Sequence, residues 1–229
     1  MKFSHIRKTI KERFATSGLS PSYRIEVINL LLEFGKWLES NEFKVKFESR
    51  YDLYQYLNNE IVKNAPIDYL EFGVWYGRSI KYWTELNQDP NSRFFGFDTF
   101  EGLPEDWKVL TQVLSKGTFS AEGKIPEIDD PRVQFIKGLF QTTLTDFLKS
   151  LTVNNQLIIN CDADLYTSTL YVLASLNQFM VPGTIVIFDE FSTVHEFRAF
   201  RDFTQSFMRN YRLLATAERF YLRVAMEFV

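Results

Sequence analysis

The sequence lacks several features that mark common classes of protein. It has one cysteine, Cys161, so an intramolecular disulfide framework is excluded. Its 26 Lys and Arg residues are balanced by 29 Asp and Glu residues, so the basic excess typical of nucleic-acid-binding proteins is missing. No run of about 18 apolar residues is present, and the first residues lack the apolar stretch of a signal peptide. We therefore expect a cytoplasmic protein that binds neither nucleic acid nor membrane.

Apolar residues, in contrast, are abundant enough for a sizeable core, because they make up 45% of the 229 residues. Residues 1–64 contain apolar residues at helical spacing, as in YRIEVINLLLEFGKWLES, and we expect them to form a helical extension packed on the core. From residue 65 the pattern changes to short apolar runs. The sequence therefore predicts a helical extension over 1–64 and a main domain over 65–229.

The main domain alternates short apolar runs with mostly amphipathic segments. The runs are IDYLEFG, RFFGFD, VQFIKG, QLIINCD and TIVIFDE, and this alternation indicates a parallel sheet with helices on both faces. Two further runs, in YRLLATAERFYLRVAMEFV, leave little room for a crossover helix and should pair antiparallel. We therefore predict an α/β fold with a mostly parallel seven-stranded sheet and an antiparallel C-terminal pair. This pattern suits a class I methyltransferase better than a dinucleotide-binding Rossmann domain.

Ligands of such sheets bind outside the carboxyl ends of the strands. The first run ends in EFGVWYGRS, where Gly73 and Gly77 permit a tight turn and a close approach of the backbone. Trp75 and Tyr76 stand where a phosphate-binding loop needs small residues, so a pyrophosphate would fit badly. The alternative is a plain strand-to-helix turn without a ligand.

The next two runs end in further candidate ligand-binding residues. Asp98 follows Gly73 at roughly the spacing of an acid that binds ribose hydroxyls, although it also suits a helix or turn cap. After the third run, Gly138, Phe140 and Gln141 suit an adenine wall with a hydrogen bond to its edge. Phe140 is equally suited to the core, since the chain has 23 phenylalanines.

Acidic residues end the fourth and fifth runs. Asp162 and Asp164 point to the same face if the strand continues that far, and the end of the adjacent strand would add Asp189 and Glu190. Carboxylates brought together raise each other's pKa unless a cation compensates them. Oxygen donors without thiolates or paired histidines favour Mg²⁺, with Ca²⁺ and Mn²⁺ as alternatives, over Zn²⁺. The other interpretation is that these acids cap the following helices.

Four motifs between residues 66 and 203 together resemble one family: YLEFGVWYGRS, FDTFEGLPEDW, CDADLYTST and IVIFDEF. They resemble the macrocin O-methyltransferases, which are S-adenosylmethionine-dependent and metal-dependent sugar O-methyltransferases of natural-product biosynthesis. The resemblance implies a methyltransferase domain over 65–229 that methylates a hydroxyl of a small molecule, a sugar of a glycosylated natural product. It also implies homo-oligomers built partly through the N-terminal helices.

The resemblance also implies roles for particular residues. S-adenosylmethionine is expected to contact Glu71, Phe72, Gly73, Gly77, Ser79, Asp98, Thr99, Gly138, Phe140, Gln141 and Asp162. Mg²⁺ is expected at Asp162, Asp189 and Glu190, although the family usually has two aspartates where this chain has Asp189 and Glu190. Gln141 stands where the family often has an acid.

The expected reaction is an in-line displacement at the methyl carbon, with the acceptor hydroxyl placed and acidified by Mg²⁺. Asp162 is the first candidate to accept the hydroxyl proton and Asp164 the second, while His195 is a candidate to assist the transfer. The long segment 105–130 is expected to be a lid over the acceptor or an oligomer contact, with a disordered insertion as the alternative.

Two other functional classes remain open. A nucleotide-binding oxidoreductase also uses a parallel sheet and an acid like Asp98, but it requires a glycine-rich phosphate turn. A non-catalytic binding or scaffold protein is suggested by the aromatic content of 17% and by the N-terminal helices. Binding of S-adenosylhomocysteine distinguishes a methyltransferase from both.

Overall fold

A computed structural model describes residues 21–109 and 112–229 of the chain. Its helices are α1 Pro21–Ser40, α2 Arg50–Tyr56, α3 Arg78–Leu86, α4 Phe140–Ser150, α5 Tyr166–Leu176 and α6 His195–Ser206. A π-helical segment, Leu57–Val62, continues α2, and short 3-10 segments cover Asn177–Phe179, Phe191–Thr193 and Arg219–Tyr221. The strands are β1 Lys46–Phe47, β2 Ile67–Phe72, β3 Arg93–Asp98, β4 Trp107–Val109, β5 Gln112–Leu114, β6 Val133–Lys137, β7 Gln156–Cys161, β8 Ile185–Phe188, β9 Tyr211–Ala217 and β10 Arg223–Phe228.

Eight strands form one sheet in the order β1-β9-β10-β8-β7-β2-β3-β6. Strand β10 runs antiparallel to both of its neighbours, and the other pairs are parallel. The predicted mostly parallel sheet with an antiparallel C-terminal pair is confirmed. It has one strand more than the predicted seven, because Lys46 and Phe47 leave the helical pattern and pair with Thr216 and Ala217 at the edge.

The central strands are apolar because helices cover both faces of the sheet. All six residues of β2 and all four of β8 are buried. Side chains alternate between two apolar clusters, with Ile158 and Ile187 in one and Ile159 and Phe188 in the other. The sheet is therefore rigidly packed up to the residues at which its strands end.

Helix α1 packs one face against the core and leaves another exposed. Val27, Leu30 and Phe34 are buried, and the Phe34 ring meets the Phe197 ring of α6 edge-on at 5.1 Å between centroids. The expected extension over 1–64 is thus described from residue 21 onward, and residues 1–20 lie outside the described residues. The division of the chain at residue 65 stays a prediction.

The segment 105–130 contains a separate two-stranded antiparallel sheet, in which Trp107 of β4 is paired with Leu114 of β5. Backbone hydrogen bonds tie its base to the turn after β3, since Leu103 and Thr118 are joined at 2.9 Å. The segment therefore lies beside the carboxyl end of the sheet. Among the helices of the described residues, none is both long and apolar enough to cross a membrane.

Candidate active site

The carboxyl ends of β8, β7, β2 and β3 border a cavity of about 410 Å³. That volume is typical of small-molecule and cofactor sites, and this edge of a parallel sheet is where α/β proteins bind ligands. The predicted site residues that line the cavity are Gly73, Ser79, Asp98, Thr99, Phe140, Gln141, Asp162, Asp164, Asp189 and Glu190. The remaining predicted residues, which lie outside the lining, are Glu71, Phe72, Gly77, Gly138 and His195.

The turn after β2 brings two strand ends into direct contact. Gly73 has a φ of +95°, and a Cβ atom at this position would lie 1.7 Å from the carbonyl oxygen of Asp162. Beside it, the Asp162 N–H donates to the Phe72 carbonyl at 2.8 Å. Glycine alone permits this backbone conformation together with such a close approach. The tight turn predicted at Gly73 is present, and it shapes the cavity floor.

Backbone amides hold the Asp98 carboxylate at the end of β3. One oxygen accepts from the N–H groups of Val74 and Trp75 at 2.7 and 2.8 Å, and the other accepts from Phe100 at 2.7 Å. These bonds match the capping role that the sequence left open. Since Asp98 also lines the cavity, its contact with ribose hydroxyls stays a prediction.

Two predicted cofactor residues of β2 lie inside the sheet. Glu71 is 1% exposed and accepts a hydrogen bond from the Tyr69 hydroxyl at 2.5 Å. Burial raises the pKa of Glu71 to about 8, so its carboxyl group holds a proton at neutral pH. The Phe72 ring stacks on Phe97 with centroids 4.7 Å apart. The geometry therefore does not support direct ligand contact by either side chain.

The other two predicted glycines act on the backbone beside the cavity. Gly77 has a φ of +74° just before α3, and a Cβ there would lie 3.0 Å from Pro126 of the segment 105–130. Gly138 has a φ of +144° just before α4, and a Cβ there would lie 2.7 Å from Thr143. Both residues permit turns, and neither lines the cavity.

His195 lies outside the cavity and fastens β4 to the start of α6. Its Nδ1 accepts the N–H of Tyr166 at 3.4 Å, and its Nε2 lies 2.8 Å from the Lys108 carbonyl oxygen. The Trp107 ring meets the His195 ring edge-on at 6.4 Å. Burial lowers the pKa of His195, which favours the neutral ring with its proton on Nε2. The predicted assistance in proton transfer is not supported by this placement.

Four acidic side chains line the cavity where β7 and β8 end: Asp162, Asp164, Asp189 and Glu190. Asp162 and Asp164 both line the cavity, but not because they are two residues apart on one strand, as was predicted. Strand β7 ends at Cys161, and Asp164 has a φ of +58°, so a turn directs its side chain. Burial and neighbouring acids raise the pKa of Asp164 to about 8 and that of Glu190 to about 7. The same causes raise the pKa of Asp162 well above its usual range.

Two arginines that the sequence analysis missed face these acids. Arg223 Nε and Nη2 donate to the two carboxylate oxygens of Asp189 at 2.8 and 3.0 Å. Arg50 Nη2 donates to Asp189 at 3.4 Å, and Arg50 Nη1 lies 3.9 Å from Asp162 Oδ2. The register places Val224 beside Phe188, so Arg223 comes next to Asp189. An antiparallel C-terminal pair was predicted, and its register was the signal that could have revealed Arg223.

The arrangement of donors does not fit the predicted Mg²⁺. Within residues 21–109 and 112–229, no three His, Cys, Asp or Glu side chains are placed to hold a metal ion. Both oxygens of Asp189 already accept hydrogen bonds from Arg223, and Arg50 adds a third. The Mg²⁺ site predicted at Asp162, Asp189 and Glu190 stays a prediction, and this arrangement does not favour it, because guanidinium groups already pair with the central carboxylate of Asp189.

Aromatic side chains form the wall of the cavity on the side of the segment 105–130. The Phe119 ring contacts Trp75 edge-on at 5.7 Å and lies 6.4 Å from Trp107. Trp75 also packs on Tyr76 at 4.6 Å. These four residues, Trp75, Tyr76, Trp107 and Phe119, all line the cavity, and we call them the aromatic wall. They offer ring faces to an apolar or sugar-bearing ligand.

The strand order, the antiparallel β10 and the cavity at the carboxyl ends define a class I methyltransferase fold. A family model described as "Macrocin-O-methyltransferase (TylF)" matches residues 48–216, and the chain belongs to this family. The family predicted from the four sequence motifs is therefore confirmed.

One curated relative and two solved structures illustrate the similarity. The chain is 27% identical over 173 residues to an 8-demethyl-8-(2,3-dimethoxy-alpha-L-rhamnosyl)-tetracenomycin-C 4'-O-methyltransferase of Streptomyces olivaceus, and the match spans 65% of each protein. The structure of the O-methyltransferase NovP aligns with a TM-score of 0.57 at 21% identity over 78% of each chain. That of the calicheamicin methyltransferase CalS11 aligns with a TM-score of 0.60 at 18% identity over 98% of this chain and 91% of its own. The two structural likenesses support the fold.

Proposed function

We propose that the protein is an S-adenosylmethionine-dependent O-methyltransferase that acts on a hydroxyl of a small molecule, a sugar of a glycosylated natural product. The observation that carries the proposal is the cavity at the carboxyl ends of β2, β3, β7 and β8, in a chain of this family. The Gly73 turn forms its floor, and its lining combines acidic side chains with aromatic rings.

The cofactor is assigned to the part of the cavity bordered by the ends of β2 and β3. S-adenosylmethionine supplies a methyl group on a sulfonium that leaves as a neutral thioether when an acceptor oxygen attacks the methyl carbon. Gly73 lines the cavity, and its turn holds the end of β2 against the backbone of Asp162 after β7. The side chains assigned to it are Ser79, Asp98, Thr99, Phe140 and Gln141, all of which line the cavity.

Asp164 is assigned the role of accepting the hydroxyl proton. Its carboxylate has no ion pair with another described residue, whereas Asp162 lies 3.9 Å from Arg50. The pKa of Asp164 is raised to about 8, so the ionised form, whose population grows as the pH approaches that value, is a stronger base than an ordinary aspartate. Asp162, fixed at the Gly73 turn, is assigned to orient the reacting groups. The order of these two candidates thus differs from the one expected from sequence.

The aromatic wall supports a glycosylated acceptor. Ring faces stack against the apolar faces of sugars and against planar aglycones, and they tolerate variation in shape. Trp107 and Phe119 come from the segment 105–130, so that segment is assigned to cover the acceptor. The curated relative from Streptomyces olivaceus is named for a rhamnosyl substrate, which is the basis for proposing a sugar here.

A homo-oligomer is proposed from the exposed face of α1. Ile25, Ile28 and Leu32 are 70%, 50% and 62% exposed and follow one another at helical spacing. Ile28→Glu should lower the mass measured by light scattering to that of a single chain. Val181→Glu, at a residue 58% exposed outside α1, is the control. A monomeric wild-type protein would contradict this assignment.

The function is tested by calorimetric binding of S-adenosylhomocysteine and by methyl transfer from isotope-labelled S-adenosylmethionine to a panel of glycosylated polyketides and their aglycones. Binding, with label appearing on the sugar of at least one acceptor, is the expected result. No binding and no transfer would favour a scaffold protein. Binding of a pyridine nucleotide instead, followed by its fluorescence, would favour an oxidoreductase.

A further inference from the structure

We propose that Arg50 and Arg223 take the place of a divalent cation among Asp162, Asp164, Asp189 and Glu190, which we call the acid cluster, so that cofactor binding and methyl transfer proceed without a metal. The inference rests on the proposed function for the reaction concerned. The two guanidinium groups lie beside the same cavity and offset part of the negative charge of its acidic side chains.

Arg223 and Asp189 form a buried two-point ion pair. Both side chains are 5% exposed, and two parallel N–H···O bonds of 2.8 and 3.0 Å join them. The planar guanidinium donates both hydrogen bonds to one carboxylate, so the pair combines charge attraction with a fixed relative orientation. Arg223 is the first residue of β10, and Asp189 directly follows β8, so the sheet itself fixes their separation.

Arg50 joins the ends of two different strands. It reaches Asp189 after β8 at 3.4 Å and Asp162 after β7 at 3.9 Å, while its Nη1 lies 3.5 Å from the Ser79 hydroxyl of α3. It is the first residue of α2, where the side chain of Ser49 caps the helix by accepting the N–H of Asp52. A single cation thus bridges two carboxylates from neighbouring strands, which is the role expected of Mg²⁺ at this position.

A divalent cation would have to compete with both arginines. Mg²⁺ requires oxygen ligands in nearly octahedral geometry, and the two oxygens of Asp189 are already bonded. If Asp189 turned to a metal, Arg223 would stay buried with Glu218 as its one remaining acidic partner among the described residues. The two guanidinium groups also offset two of the four acidic side chains, which weakens the attraction of the site for an incoming cation. The occupied Asp189 carboxylate and the two arginine charges therefore both act against metal binding.

The first experiment compares wild-type protein in excess EDTA with the same protein in Mg²⁺ or Mn²⁺. We expect S-adenosylhomocysteine affinity and kcat to agree within about twofold between the conditions, because no cation is part of the site. A loss of kcat of about tenfold or more in EDTA, restored by Mg²⁺, would overturn the inference while leaving the methyltransferase itself intact. Loss of cofactor binding under every condition would contradict the proposed function instead.

The second experiment measures Mn²⁺ binding by electron paramagnetic resonance and does not depend on activity. Wild-type protein should bind no Mn²⁺ at this site. Arg223→Met removes the guanidinium group and frees Asp189, and we expect this variant to gain Mn²⁺ binding that is lost again when Asp162→Asn is added. Arg212→Met removes an arginine that pairs with Glu227 instead, and it should behave as wild type.

Wild-type Mn²⁺ binding that Asp162→Asn abolishes would overturn the inference. If Arg223→Met does not fold, Arg50→Met serves in its place, because Arg50 is 27% exposed and its loss disturbs the core less. The wild-type measurements decide the question in either case, since they need no variant that lacks Arg223.

Discussion

Gly73 and Asp162, from the ends of adjacent strands, approach so closely that a single added Cβ atom would lie 1.7 Å from the Asp162 carbonyl oxygen. The contact couples the turn assigned to the cofactor with the acid cluster assigned to the acceptor. Nothing larger than hydrogen fits between them, so the relative position of the two halves of the cavity is fixed by backbone atoms.

Gly73→Ala should therefore disrupt both halves together. The new methyl group meets backbone atoms, which move only if the strands separate, and the φ of +95° adds strain. We expect the free energy of unfolding to fall by about 3 kcal/mol and S-adenosylhomocysteine binding to be lost. Denaturant unfolding and calorimetry measure the two effects. Gly35→Ala in α1 is the control, because a Cβ there meets nothing within 4 Å; equal behaviour of the two variants would refute the close contact.

Asp164→Asn should reduce methyl transfer without weakening cofactor binding. The amide cannot accept the hydroxyl proton, so we expect kcat to fall by about 100- to 10,000-fold. Steady-state kinetics and calorimetry on the same preparation separate the two quantities. Asp146→Asn, on the exposed side of α4 beside Lys149, should leave both unchanged. Wild-type turnover by Asp164→Asn would assign proton transfer to another residue.

Glu71→Gln should change how stability depends on pH. The pKa of Glu71 is raised to about 8 by burial, while an unfolded glutamate titrates near its ordinary value of about 4.3. Between these values the unfolded chain is ionised and the folded chain is not, so wild-type stability should decrease as pH rises from about 5 to about 8. Glutamine has no such ionisation and can still accept the Tyr69 hydroxyl.

We therefore expect Glu71→Gln to gain stability relative to wild type, by roughly 1 kcal/mol or more at pH 8 and little at pH 5. Urea unfolding at several pH values without ligand measures this difference. A constant difference across the range would mean that Glu71 does not titrate as its burial requires.

Phe119→Ala should weaken acceptor binding selectively. The Phe119 ring contacts Trp75 and lies near Trp107 in the aromatic wall, at 5.7 and 6.4 Å. Its loss should raise KM for the acceptor about fivefold, because such aromatic contacts contribute about 0.5–1.5 kcal/mol each. The affinity for S-adenosylhomocysteine should stay the same. Phe220→Ala, at a residue 82% exposed, is the matched control. An equal loss of cofactor affinity would place Phe119 in the cofactor part of the cavity.

Local sequence patterns were sufficient for seven of the eight strands of the main sheet and for the residues that end them. Runs such as QLIINC are short and mostly apolar, and their alternation with amphipathic segments indicates buried parallel strands, whose following acids emerge at the same edge of the sheet. The glycine turn after β2 followed from residue type alone. The strands, the acids that follow them and the glycine turn are each determined by residues a few positions apart in the sequence.

The pairing of the acidic side chains with arginines could not be predicted from local sequence patterns. Arg50 and Arg223 are far from Asp189 in sequence, and both reach it through tertiary packing, one from α2 and one across an antiparallel pair. The backbone of Asp164 is also set by its turn, since a φ of +58° is unusual for a residue other than glycine. The acids that follow β7 and β8 suggested a metal ion because neither Arg50 nor Arg223 lies near them in the sequence.

The position of β10 also bears on how the molecule is assembled. This strand follows β9 along the chain but lies between β8 and β9 in the sheet. Strand β10 pairs along its length with both β8 and β9, so it alone among the described strands joins the C-terminal edge to the parallel part of the sheet. Arg223 begins this strand and pairs with Asp189, so the strand that completes the sheet also brings a positive charge to the carboxylates at its edge.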